Sequence, residues 1–277
     1  MRRGAPYERI PGAAGELVRR GHQRLIGLFR THSRDLEFEP VFKALDEILL
    51  EAGDLVDPAI PQKPLIGIVG EIYVRSHVRS NQHLIEMLEQ YGAEVVNASL
   101  AEWVNYTTYD KLRTDRKAFS FHLRRMDVNG MRDSLKRLAG WTGDAFYQNY
   151  RHRQLYKRVR KIFDVRPDHD IGIMEKKLVD TGHFSFDIGG EACLSIAGAM
   201  EYMEHGYDGV VNVFPFTCMP STMTSAILKP LFSNRRFPYM DAPYDGTFQP
   251  GRETSVRTFM YQAQQYQARK QRKKGGY

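Results

Sequence analysis

The chain has 277 residues, 42% of them hydrophobic and 12% aromatic, with a formal net charge of +7. That is enough to bury one large core or two modest ones, and no self-similar period points to a repeat architecture. No apolar run approaches the ~20 residues of a membrane-spanning helix and no signal peptide is visible, so the reading is cytosolic, without a disulfide.

Residues 1–63 predict a helical segment and linker. Apolar residues recur at helical spacing over Ala14 to Arg30 and Val41 to Glu51, and a proline-punctuated stretch runs from Asp57 to Pro64. Pro64 to Val69 predicts a buried strand, Gly70-Glu71 a turn, Asn81 to Tyr91 a helix opened by Ser80 or Asn81, and Glu94 to Asn97 a second strand. From Asp115 to Asp164 the pattern is of long basic helices carrying Trp141, Phe146, Tyr147, Tyr150 and Tyr156, an insertion between two sets of strands. Between Lys111 and Lys161 fifteen Lys and Arg face only Asp115, Asp127, Asp133 and Asp144. The second set reads as strand 184–188, a Gly189-Gly190 turn, helix 191–205, strand 209–214, helix 222–232 capped by Ser221 or Thr222, and strand 237–241. Such alternation implies parallel βαβ units. Residues 64–268 form this α/β lobe, and 269–277 reads as a basic disordered tail.

Ligands of open α/β sheets gather at the carboxyl ends of the strands. The chain's two cysteines, Cys193 and Cys218, both fall near such ends, each where a strand is expected to give way to a helix. A helix N-terminus favours negative charge, which makes thiolate more available for metal ligation or nucleophilic attack. Two thiolates on neighbouring loops would lie close enough to share one small inorganic cluster. Buried unpaired cysteine is also a common small hydrophobe, and two thiols fall short of the four that iron–sulfur clusters take. Glu71 and Arg75 follow the first strand and would face the same crevice, or simply pair with each other or cap the next helix. Asp241 and Asp245 fall at a third strand end, where Asp245-Gly246 also reads as a plain turn. His183 and His205 lie near turns and receive no role.

Several of these motifs together resemble a known family. They are Gly67-Ile68-Val69-Gly70-Glu71-Ile72-Tyr73-Val74-Arg75, Ala101-Glu102-Trp103-Val104-Asn105-Tyr106, Gly190-Glu191-Ala192-Cys193-Leu194-Ser195, Pro215-Phe216-Thr217-Cys218-Met219-Pro220 and Asp245-Gly246 before a long final helix. In this order they look like the carboxyl-terminal part of acyl-CoA dehydratase activase-related proteins, relatives of the 2-hydroxyacyl-CoA dehydratase subunits. The resemblance runs from about residue 5, where Pro6-Tyr7-Glu8 and Gly12 also fit, to about residue 268. It implies a Rossmann-like parallel sheet with flanking helices and an iron–sulfur cluster, four-iron four-sulfur or larger, held at loops between lobes. Cys218 is the ligand the resemblance carries over, with Cys193 behind it. Glu71 and Glu191 become the candidates for proton transfer, since a carboxylate in a partly dry crevice has its pKa raised towards neutrality. In the relatives a separate activator ATPase injects a low-potential electron into the cluster protein.

The chain shows no phosphate-binding loop of its own and lacks the upstream cysteines of longer relatives. A partner subunit, a second lobe or a homodimer would therefore have to complete the cluster. The leading expectation is a cluster-bearing subunit of an ATP-coupled dehydratase or reductase, not active alone. Two alternatives belong to other classes: an assembly or interaction protein that keeps the fold without the chemistry, and a nucleic-acid-binding protein using the basic helices and tail. The same basic surface is a weaker candidate for the phosphates of an acyl-CoA.

Overall fold

Four short apolar runs make one sheet. In the computed structural model, which describes residues 6–32, 34, 37–165 and 168–274, the strands are β1 (Leu65–Gly70), β2 (Glu94–Asn97), β3 (Gly209–Pro215) and β4 (Tyr239–Tyr244). They lie in the order β2-β1-β3-β4, and all three pairings are parallel. The chain steps from β1 outward to β2 and then crosses to β3 on the other side of β1. The order therefore reverses between β1 and β3, the place beyond whose carboxyl ends open α/β sheets bind ligands. The chain is a mixed α/β protein with a Rossmann-like arrangement.

Helices cover both faces of the sheet. On one side, α8 (Glu191–Glu204) packs on β1 and β3 and α9 (Met219–Asn234) on β3 and β4, with α7 (Ile171–Thr181) behind α8. On the other lie α4 (Leu84–Gln90) and α10 (Arg252–Lys274), which contribute Leu84, Leu88, Phe259 and Met260 to a second core. Strand alternation divides the two: Ile66, Ile68, Val211 and Val213 face α4 and α10, while Leu65, Val69 and Val210 face α8. Each such side chain contributes roughly 1.5–3 kcal/mol on burial. Every residue of α8 from Ala192 to Tyr202 is buried, which is possible because Ala192, Ala197, Gly198 and Ala199 let neighbours approach on all sides. Gly67 serves the same end in β1, where a Cβ would stand 2.3 Å from the Tyr202 ring.

At the amino-terminal end α1 (Ala13–His32) and α2 (Glu39–Asp54) form a hairpin with its own small core of Leu17, Ile48 and Ala52. A second hairpin, α5 (Leu100–Arg124) and α6 (Val128–Val159), follows β2. At 32 residues α6 is about 48 Å long. Its base is fastened to α2 by Arg151 over the Phe38 ring at 4.3 Å, and by Arg158 over Phe42 and paired with Asp46. The basic helices thus begin at Leu100, where Ser99 caps the first turn, and not at about 115. No helix among the described residues is long and apolar enough to cross a membrane.

Four expectations are corrected. Residues 184–188 form no strand: Phe186–Ile188 is a short 3-10 turn, because Ser185 accepts from the Asp187 N–H, Asp187 pairs with Arg113 and Lys117, and Phe186 is buried against Tyr106 and Tyr109. The helix expected from Asn81 starts only at Leu84, after Gln82 and His83 adopt positive φ. Gly70-Glu71 is more than a turn, since Glu71 caps a one-turn helix, α3 (Ile72–Ser76). Arg269 to Lys274 is helical, the end of α10 and not a disordered tail, with 275–277 outside the described residues.

Candidate functional site at the carboxyl edge of the sheet

β3 leaves the sheet at Pro215, which cannot donate to a ladder, and the next three residues turn sharply. Thr217 has φ of +68°, a conformation that β-branched residues avoid at a cost of about 1–3 kcal/mol. That strain sets Cys218 as the N-cap of α9, with its N–H on the Pro215 carbonyl at 3.0 Å and its own carbonyl accepting from Thr222. No side chain caps the helix. α9 starts three residues before the expected position because Pro220 is tolerated in a first turn, where its missing N–H would have no partner. Cys218 is half-buried and free, just past the carboxyl end of β3.

On the neighbouring strand, β1 ends at Gly70. The Gly70 N–H donates to Ser195 Oγ at 3.1 Å, and the Glu71 N–H donates to the Val213 carbonyl at 2.8 Å. Glu71 uses both carboxylate oxygens to accept from Tyr73 and Val74, so the capping role is the one it fills. Glu191, in the first turn of α8, is half-buried and accepts from the Ile72 N–H at 3.4 Å. Burial pushes its pKa up and the Glu71 charge adds to this, against the Ile72 hydrogen bond and Arg75, so Glu191 is the carboxyl group here that retains a proton more readily than usual.

Cys193 lies elsewhere on α8. Glu191 and Ser195 are four residues apart on the stripe facing β1, whereas Cys193 is displaced by about 200° around the helix from Glu191. Its side chain is wholly buried among Tyr106 and Phe186. The thiol donates weakly to the carbonyls of Ser185 and Gly189, at 3.9 and 3.8 Å, and burial pushes its pKa to about 11. The structure does not turn the two thiols to one crevice. In the native protein an aromatic disulfide reagent should therefore titrate one thiol rapidly, Cys218, and release the second only on addition of denaturant. Two fast thiols would mean that Cys193 is open.

Asp241 lies within β4 and joins Asn212, Ser225 and Tyr239 in a buried network closed by Lys229 at 2.6 Å. Burial would raise its pKa, but the bonds from Lys229, Ser225, Tyr239 and Asn212 hold it below the usual carboxylate range. Asn212 was readable as the one polar residue in an apolar strand. Asp245 forms the turn, accepting from Thr247 at 2.9 Å.

A second cluster escaped sequence reasoning. His169 donates to Glu102 at 2.7 Å and stands 3.6 Å from Glu201, with Lys177 3.7 Å from Glu201. These groups line a cavity of about 690 Å³ beside β2 and α8. Only the Asp168-His169-Asp170 triplet signalled it, since its partners lie 67 and 32 residues away in sequence.

Among the described residues no group of three or more His, Cys, Asp or Glu could hold a metal ion. Comparison with protein-family models, curated proteins and solved structures returned no match.

Proposed function

We propose that this chain is one subunit or lobe of an ATP-coupled, low-potential electron-transfer system of the 2-hydroxyacyl-CoA dehydratase or reductase type. Its own contribution is Cys218, a ligand to an iron–sulfur cluster that a partner completes. The observation supporting this is the placement of Cys218: a free, half-buried cysteine, held by a strained residue, just past the carboxyl end of β3, one of the two strands between which the order reverses. A soft thiolate at that position fits a cluster. Cys193, sealed in the core as a thiol, does not fit, so a second subunit or a second copy of the chain supplies the remaining ligands. A bound cluster supplies one-electron transfer. The chain's residues do the rest: Thr217 and Pro220 fix the thiol, and Glu191, whose pKa burial raises, is the candidate for proton transfer. An activator ATPase is the corresponding electron donor, and an acyl-CoA the corresponding substrate.

The test is anaerobic expression followed by iron and acid-labile sulfide analysis, visible absorption and mass in solution. Roughly stoichiometric iron is expected, lost in Cys218→Ser with the far-ultraviolet circular dichroism unchanged, and kept in Cys193→Ser. Full iron retention in Cys218→Ser removes the assignment. A second reading is an interaction protein that keeps the fold without the chemistry. It is favoured by the α5–α6 hairpin, which leaves Met126, Val128 and Phe146 largely exposed. A colourless monomer after cluster reconstitution would support it.

A further inference from the structure

The cavity of about 690 Å³ beside β2 and α8 has walls of two kinds. Val96, Ile173, Tyr156, Tyr202 and Tyr207 make one part apolar and aromatic. Glu102, Asp168, Asp170, Glu201 and Glu204 line the rest, against Lys177, His169 and His205. The cavity therefore stays net negative even with both imidazoles protonated, in a chain whose net charge is +7. Its volume is that of a small-molecule site, roughly 300–1,000 Å³.

Most of these carboxylates are already engaged. Asp168 accepts from the Ser99 and Tyr156 hydroxyls at 2.7 and 3.1 Å, Asp170 caps α7, Glu102 accepts from His169, and Glu204 takes the Lys177 ammonium. Glu201 differs. It is 5% exposed, yet among the described residues its carboxylate accepts no hydrogen bond. His169 Nε2 and Lys177 Nζ stand 3.6 and 3.7 Å away, outside hydrogen-bond reach. Neither is free to close in, because His169 is tied through Nδ1 to Glu102 and Lys177 to Glu204. A carboxylate offers about four acceptor positions, and leaving them unused in a buried place is costly.

A donor from outside the chain fits this gap. Among the described residues no group of three or more His, Cys, Asp or Glu could hold a metal ion, so the matching occupant is organic. We propose that the cavity binds a small organic cation, an amine or a guanidine, whose N–H groups donate to Glu201 while its carbon body lies among the tyrosines. Charge-assisted hydrogen bonds to a carboxylate and contact with aromatic rings both suit such a group. The site lies apart from Cys218 and does not rest on the cluster reading.

The test is the melting temperature of the whole chain at constant ionic strength and about pH 8, where both N–H cations used are charged. The probes are butylammonium, butylguanidinium, tetramethylammonium and butyrate. The first two should raise it, by about 3–4 °C at ten times the half-saturating concentration, and the larger gain names the head group. Tetramethylammonium carries the charge without N–H donors and should gain little, and butyrate nothing. Glu201→Gln should raise the half-saturating concentration at least about tenfold. Ile173→Trp, at an exposed position of α7 that lines the cavity, fills the space with every charge in place and should abolish the gain. It carries the test if Glu201→Gln does not fold. Cys218→Ser should keep the full gain, which separates this site from the cluster. Were Glu201 only a counter-ion for Lys177 and His169, the probes would act alike on wild type and Glu201→Gln. A gain that survives Glu201→Gln or Ile173→Trp, an equal gain from tetramethylammonium, or none from either N–H cation overturns the proposal.

Discussion

Gly70→Ala is expected to destabilise the protein by about 3 kcal/mol or more, enough to leave it largely unfolded at moderate urea. Gly70 has φ of +110°, which alanine adopts only with strain, and a Cβ there would lie 2.1 Å from the Val213 carbonyl oxygen and 2.7 Å from its nitrogen. Both are backbone atoms of the central strand, so no rotamer change relieves the contact. The same backbone holds the ladder between β1 and β3, and the bond from the Glu71 N–H to Val213 that joins the two strand ends. Gly143 is the matched control. It lies exposed in α6 with nothing within 4 Å of its Cβ, and alanine there should stabilise by up to about 1 kcal/mol. The check is urea denaturation of all three proteins. A Gly70→Ala midpoint equal to wild type would mean that β1 and β3 part more easily at their ends than this packing implies.

What sequence could deliver follows from how local each signal is. Strands β1, β2 and β3 were legible because apolar, β-branched runs bounded by Gly or Pro have few other readings. Residues 184–188 carry the same kind of signal, Phe-Ser-Phe-Asp-Ile, yet the segment turns, because Arg113 and Lys117 from a helix about 70 residues earlier reach Asp187. A long-range ion pair leaves no local trace. That one error made Cys193, in the first turn of α8, look like a strand-end residue beside Cys218, when its side chain is buried in the core. Cys218 was placed correctly because a Pro-flanked strand end is a local feature. Arg75 was visible as a residue after a strand, but its burial, with Asn81 and Asn97 holding its carbonyl, is a property of the assembled fold. The same holds for His169, whose partners come from α5 and α8.

His169→Leu is expected to cost about 3 kcal/mol below pH 6.5, since it removes a cation from between two nearly buried carboxylates and leaves Lys177 to pair with Glu201 only. Burial by itself would lower the His169 pKa. The hydrogen bond to Glu102 and the charges of Glu102, Glu201 and Asp168 overcome this, so the folded-state value stands above the ordinary 6.5. Other groups lining the same space are Tyr202, whose ring meets His169 edge-on at 5.0 Å, and Glu204, His205 and Tyr156. A raised folded pKa means that the protonated imidazole contributes its full stabilisation below pH 6.5. That contribution declines as pH rises from 6.5 through the folded value, because over this window the unfolded chain binds fewer protons than the native one. Wild type should therefore lose stability on the alkaline side, while His169→Leu lacks this decline and the gap between them narrows. Urea denaturation at about pH 5.5 and about pH 9 measures it directly. A gap that stays constant or widens with pH would mean that His169 is neutral in the native protein, and Glu102 and Glu201 would then need another source of positive charge.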